Sequence, residues 1–214
     1  MIELEEGETR VNTSGKNRVE TLSDGVFAVA MTLLVLGLSV PIISGASIET
    51  ELQRKLLELL PKLSLYFLSF LILGVLWVNH HFLFRSLKQS NSRIVWLNLI
   101  MLMFAALLPF STALVGEYWR YQMAVLIFGG NGILAFGMFI VLWEYSRHKN
   151  LLSVVLSPEN IQIRKIVDIT TMVILITAFV LSFFNPVISL FVYGIVIFIH
   201  ITATFIGFHE YKSA

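Results

Sequence analysis

The sequence predicts an all-α, polytopic membrane protein of six transmembrane helices, and three observations carry that expectation. Of 214 residues, 57% are hydrophobic and 14% charged, whereas soluble domains carry about 25% charged residues. The apolar residues gather into about six runs, each near the roughly 20 residues that a helix needs to cross a hydrocarbon core of about 30 Å. The basic residues stand in short clusters between these runs instead of spreading along them. A formal net charge of +1 supplies no field for nucleic acid, which is not expected as a partner. With no cysteine, there is no disulfide, thiol nucleophile or cysteine-based metal site to consider. No cofactor and no enzymatic activity are expected, since the runs leave no room for a soluble catalytic domain.

Residues 1–17 read as a polar N-terminal segment and 18–210 as one six-helix domain. The first helix, about 18–40, is the stretch RVETLSDGVFAVAMTLLVLGLSV, a charged entrance fused to a membrane-length apolar run that Pro41 ends. A signal peptide cleaved near Gly45 and Ala46 is the weaker reading, because the apolar run is long for one and Ser23 and Asp24 sit awkwardly at its start. The second helix, 51–84, opens with Leu52, Leu56, Leu57 and Leu60 on one side and Arg54, Lys55 and Glu58 on the other. Such an amphipathic lead projects past the membrane or lies on its surface. The third, 92–114, carries Pro109 as an expected kink. The fourth, 120–145, holds Gly129, Gly130, Gly132 and Gly137, which permit close helix contact. The fifth, 164–184, and the sixth, 187–209, are joined by a tight Asn185-Pro186 turn.

In this layout Arg10, Lys16, Arg18, Arg85, Lys88, Arg93, Arg147, Lys149, Arg164, Lys165 and Lys212 fall on one side, and Arg54, Lys55, Lys62 and Arg120 on the other. Both termini and the polar loop from Glu144 to Lys165 should therefore be cytoplasmic. The two halves show no internal repeat, which argues against an inverted-repeat transporter and for a site built by several copies around an axis.

The first helix offers the sharpest candidates. At about 100° per residue, Val29, Leu33 and Leu36 fall within about 40° of one another, and Leu22 and Val40 extend the stripe. Ser23 and Asp24 project away from it. If neighbouring helices of the same subunit satisfy those two, the aliphatic stripe faces lipid or a central axis, where rings of such side chains form a constriction that gates by dewetting. Thr32 flanks the stripe, with a hydroxyl able to solvate an ion or to bond back to the Ala28 carbonyl. Arg18 lies on the stripe side of a continuous helix, whereas a break before Ser23 would bring it to Asp24 as an ion pair. Alternatively, Arg18, Ser23 and Asp24 are an interfacial anchor, an N-cap and a dipole partner.

The second helix carries Trp77, Asn79, His80 and His81 in an apolar run. Adjacent histidines point about 100° apart, so one helix does not aim both at one metal. One of them is expected to hydrogen-bond Asp24, Ser23 or Asn98 at the inner membrane edge, and the other to meet the interface. His200 reads as an interhelical hydrogen-bonding residue. The potassium-filter string TVGYG is absent, which excludes a carbonyl filter of that type. A symmetric pore at a subunit junction is the leading reading of these residues. The alternatives are a proton-coupled transporter or proton channel using Asp24, His80 and His81 as a relay, and a scaffold or a metal or haem carrier using the histidines.

At these residues the chain resembles the transmembrane protein 175 family of lysosomal potassium channels and their bacterial relatives, whose first helix opens on R-x-x-x-F-S-D. Here RVETLSD has Leu22 in place of the phenylalanine. GVFAVAMTLLVL, the second-helix WVNHHFLFR and the third-helix LLPFST continue the resemblance through the first half of the chain. The second half is similar in helix count and spacing. The resemblance implies a bacterial-type, single-repeat homotetramer in the plasma membrane lipid bilayer, whose first helices surround a path for potassium ions. It also implies a constriction at Val29, Leu33 and Leu36, selectivity support from Thr32, and a network of Arg18, Ser23, Asp24, a second-helix histidine (His80 or His81) and Asn98 that holds the pore helix.

Overall fold

The computed structural model describes residues 2–43, 48–153 and 158–210. Gly45, Ala46 and Lys212 lie outside them. The elements are α1 (Ile2–Leu33), α2 (Ile48–Ser86), α3 (Ser92–Tyr118), α4 (Gln122–His148), α5 (Pro158–Leu181) and α6 (Pro186–Glu210). The sequence places α2, α3, α4 and α6 within a few residues of these bounds.

The first helix departs most from the expected 18–40. It begins at Ile2, and no proline before Pro41 interrupts it. It ends early, tightening into a 3₁₀ turn over Leu34–Gly37, after which Leu38 is extended at φ −99° and ψ 98°. Gly37 weakens the helix there, and Pro41 disfavours helical geometry at Val40. The fifth helix starts at Pro158, well before the expected 164, since proline suits a first helical turn.

Local chemistry fixes the other ends. Asn91 caps α3, its side-chain oxygen accepting from the Ile94 N–H at 3.0 Å. Asn185 caps α6, its oxygen accepting from the N–H groups of Val187 and Ile188, both at 3.1 Å. With Pro186 following it, this is the tight turn the sequence predicts. Asn150, just beyond α4, takes a left-handed φ of 53°, a conformation asparagine tolerates. In the α2 lead, Arg54 bonds both Glu51 and Glu58 at 2.5 Å. The Arg54 hydrogen bond, helped by the positive charge of Arg54 and opposed by desolvation, holds the Glu51 carboxyl below its usual range. At about 1.5 Å per residue, the 39 residues of α2 make a rod of about 58 Å, about twice a hydrocarbon core, so the lead extends beyond it.

The core forms along α3, where Ile94, Asn98, Met101, Leu102, Ala105, Leu108 and Val115 are buried. α4 lays Val125, Phe128, Phe136, Phe139 and Leu142 into it. A Cβ at Gly129 would fall 1.7 Å from the Tyr193 hydroxyl, so glycine is what lets α4 and α6 approach here. The exterior is also apolar: Phe67, Phe110, Phe191 and Phe198 are all exposed. Among the described residues, Gly15–Gly37, Ile48–Ser86, Ser92–Tyr118 and Gln122–His148 are long and apolar enough to cross a membrane, and Pro186–Thr202 is a shorter apolar helix. This is an integral membrane protein, with lipid as the solvent of its outer faces.

The basic clusters gather at one end. Lys16 Nζ donates to the Leu87 carbonyl at 2.8 Å, while Leu87 pairs with Leu152 in an isolated antiparallel bridge. The Lys88 N–H donates to Leu151 at 2.8 Å and the Ser153 N–H to Ser86 at 2.6 Å. The α2–α3 and α4–α5 connections are thus stitched together beside α1. At the other end of the bundle Lys62 of α2 pairs with Glu117 of α3.

Candidate pore helix and its anchoring network

α1 has two opposed faces. Ser23, Phe27, Ala30 and Leu34 are between 0% and 3% exposed, and their spacing is that of one helix stripe packed on α2 and α3. On the other side, Leu22, Val29, Leu33 and Leu36 are 51%, 56%, 43% and 74% exposed. Leu36 sits in the 3₁₀ turn, where rotation is about 120° per residue and side chains three apart eclipse, so it stays in line with Leu33 despite the change of helix type. Leu22, Gly25, Val29, Leu33 and Ala106 of α3 line an open, nearly wholly apolar groove. The Thr32 hydroxyl donates to the carbonyls of Ala28 at 3.0 Å and Val29 at 2.9 Å.

The buried face is held by a directed chain of hydrogen bonds. Ser23 Oγ donates to the Val19 carbonyl at 2.8 Å and accepts from Asn98 Nδ2 at 2.9 Å. Asn98 Oδ1 therefore faces His80 Nε2, 2.8 Å away, and that ring nitrogen must be the protonated one. Ser23, His80 and Asn98 are each 0% exposed. His80 stacks on Phe84 with ring centroids 4.3 Å apart, and its buried Nδ1 has no partner.

Beside this chain a second pair of contacts joins α1 to α2. Trp77 Nε1 donates to Asp24 Oδ1 at 2.9 Å. One turn away, His81 Nδ1 lies 3.7 Å from Glu20 Oε1 and its ring stacks on Trp77. His80 is thus the histidine that joins Ser23 and Asn98, while His81 is exposed and meets Glu20. α1 is unbroken from 18 to 33, so Arg18 stays exposed on the stripe side. The carboxylate of Asp24 meets Trp77, and within one chain Arg18 lies outside the network.

Sequence reasoning missed Trp77 and Glu20 as partners, and it missed a second buried cluster altogether. Arg164 donates to Asn79 Oδ1 at 2.5 Å and pairs with Asp168 at 2.9 Å. It lies over the rings of Phe139 and Trp143, 5.0 Å from each centroid. Asn79 Nδ2 lies 3.2 Å from His200 Nδ1, and Thr171 Oγ1 lies 2.9 Å from His200 Nε2. His200 is the interhelical residue the sequence suggests. The overlooked signal was Arg164 and Asp168, one helical turn apart at the head of an apolar run, where a charge pair calls for a reason.

The fold and this site define a class: a helical membrane protein whose first helix is anchored by buried polar groups on one side and bare and aliphatic on the other. Residues 18–109, with RVETLSD at their head, match the family described as the endosomal/lysosomal potassium channel TMEM175. A Streptomyces collinus potassium channel is 41% identical over 114 residues, 53% of each chain. A Chamaesiphon minutus potassium channel is 35% identical over 137 residues, 62% of this chain and 66% of that protein. The chicken (Gallus gallus) endosomal/lysosomal proton channel TMEM175 is 35% identical over 108 residues, 48% of this chain and 22% of that protein. The match thus spans about half to two thirds of the bacterial relatives. The crystal structure of a lysosomal potassium-selective channel TMEM175 homolog from Chamaesiphon minutus superimposes with a TM-score of 0.73 at 29% identity, covering 89% of this chain and 98% of that one. The likeness in fold therefore extends well beyond the segment matched in sequence.

Proposed function

We propose that this chain is a potassium-permeable cation channel, formed by four copies whose α1 helices surround a common axis. The observation that carries this reading is the division of α1. Its Ser23 and Asp24 are satisfied inside the subunit, and the row of Leu22, Val29, Leu33 and Leu36 is left uncovered. Brought together around an axis, Val29, Leu33 and Leu36 form stacked aliphatic rings, a constriction that an ion passes only when it is wetted. Thr32 supports a cation specifically. Its hydroxyl proton is directed at backbone carbonyls, so the outward side of its oxygen offers lone pairs and no donor. Selection then rests on dehydration cost and pore width, and discrimination against sodium is modest. The gathering of Lys16, Lys88 and Ser153 contacts at one end supports a cytoplasmic position for that end and for both termini. The names of the bacterial relatives and of the superimposable channel are consistent with this reading. Potassium flux into liposomes carrying the purified protein tests it: flux above that of empty vesicles is expected, and none would refute it.

A second reading is favoured by one observation: the unpartnered Nδ1 of buried His80, close to Asp24 and His81. A proton relay through Asp24, His80 and His81 uses that atom as its acceptor, in keeping with the proton-channel name of the chicken relative. A proton gradient that acidifies the liposome lumen without potassium movement would favour it over the first.

A further inference from the structure

The cluster around Arg164 lies outside the pore helix and beyond the segment shared with the family, yet it bonds the residue next to His80. Its hydrogen bonds have one allowed direction. Arg164 has donors only, so the oxygen of Asn79 must face it. Asn79 Nδ2 is then a donor, as its 2.7 Å bond to the Val75 carbonyl also requires. Nδ1 of His200 must therefore accept, and its Nε2–H donates to Thr171 Oγ1, whose own proton goes to the Val167 carbonyl at 2.8 Å. A proton added at Nδ1 would set two donors head to head, at the 3.2 Å Asn79–His200 contact. Arg164 brings a positive charge toward the ring, which does not relieve this. From α5 come Arg164 and Asp168, which are paired with each other. From α4 comes the ring of Phe136, while Glu144 of that helix is bonded to Arg147 at 2.6 Å. From α2 comes Asn79.

We propose that Arg164, Asn79, His200 and Thr171 form an acid-released clasp, which positions α2, and through its adjacent residue His80 the pore-helix network, only while His200 is neutral. Asn79 and His80 are neighbours on α2 that point about 100° apart, Asn79 to His200 and His80 to Asn98, so a shift of α2 at one contact is transmitted to the other. The clasp stands on its own geometry; its effect on flux rests on the channel reading.

The test compares the wild type with His200→Gln and Asn79→Asp by thermal unfolding in detergent at roughly pH 7.5 and roughly pH 4, with potassium flux in liposomes alongside. Glutamine supplies an acceptor and a donor that do not titrate, and aspartate accepts from a protonated His200. The wild type should lose about 2–4 °C more of its melting temperature on acidification than either variant, and a larger fraction of its flux. Equal acid losses in the wild type and in His200→Gln overturn the clasp. Should His200→Gln fail to fold, an acid loss in Asn79→Asp as large as the wild type's overturns it equally. Absence of flux at both pH values would sink the channel reading, while the melting temperatures still decide the clasp.

Discussion

Asn98→Ala probes the anchoring of α1 at its centre. Asn98 is the joint between Ser23 on α1 and His80 on α2. Ser23 would keep its bond to Val19, but His80 would be left with a buried Nε2–H facing nothing, beside an Nδ1 that already lacks a partner. Leaving one buried donor unsatisfied costs about 1–3 kcal/mol. At about 2–4 °C per kcal/mol for a chain of this size, the melting temperature should fall by roughly 2–12 °C. Ser23→Ala should cost a similar amount, since it strands a buried Asn98 N–H. Because both changes break one chain of bonds, the double variant should lose less than the sum, with a coupling of about 0.5–3 kcal/mol. Thermal unfolding of the four proteins in one detergent measures this. Additive losses, or an Asn98→Ala melting temperature within about 1 °C of the wild type, would refute the directed network.

Leu36→Ser should raise potassium flux, because a hydroxyl wets one of the aliphatic rings of the proposed constriction; unchanged liposome flux would remove Leu36 from the constriction. Thr32→Val keeps the shape and removes the oxygen, and should reduce the ratio of potassium to sodium flux at similar expression. Gly129→Ala places a methyl group where the Tyr193 hydroxyl now sits, and it should cost about 1–3 kcal/mol by overpacking, read as a lower melting temperature. Trp77→Phe removes the donor to Asp24 while keeping the ring, and should lower flux more than it lowers stability.

Much of this was legible in the sequence, for identifiable reasons. Apolar runs and interrupting clusters located the helices, and the Asn185-Pro186 turn and Gly129 behaved as their chemistry dictates. The two faces of α1 followed from residues about four apart, and the 3₁₀ turn left Leu36 in place because three-residue eclipsing there replaces the α-helical stagger. The helix ends were less legible. α1 continues through polar residues 2–17, which hydropathy alone separates from the apolar run. The partner of Asp24 was not readable either, because Trp77 is 53 residues away and an indole N–H competes with Arg18 only once α2 has packed. The Arg164 cluster was missed for the same reason: it joins α2, α5 and α6, and no periodicity within one helix reports such a meeting.

The central claim, that the bare stripe of α1 lines the ion path, has a direct test because the chain contains no cysteine. Leu33→Cys and Phe191→Cys can each be placed alone, the second on an outer face where Phe191 is 77% exposed. A small, charged thiol-reactive reagent added to flux-competent liposomes should abolish potassium flux through the Leu33→Cys protein and leave that of Phe191→Cys unchanged. Equal block of both, or full flux through a labelled Leu33→Cys protein, would contradict the assignment of α1 as the pore helix.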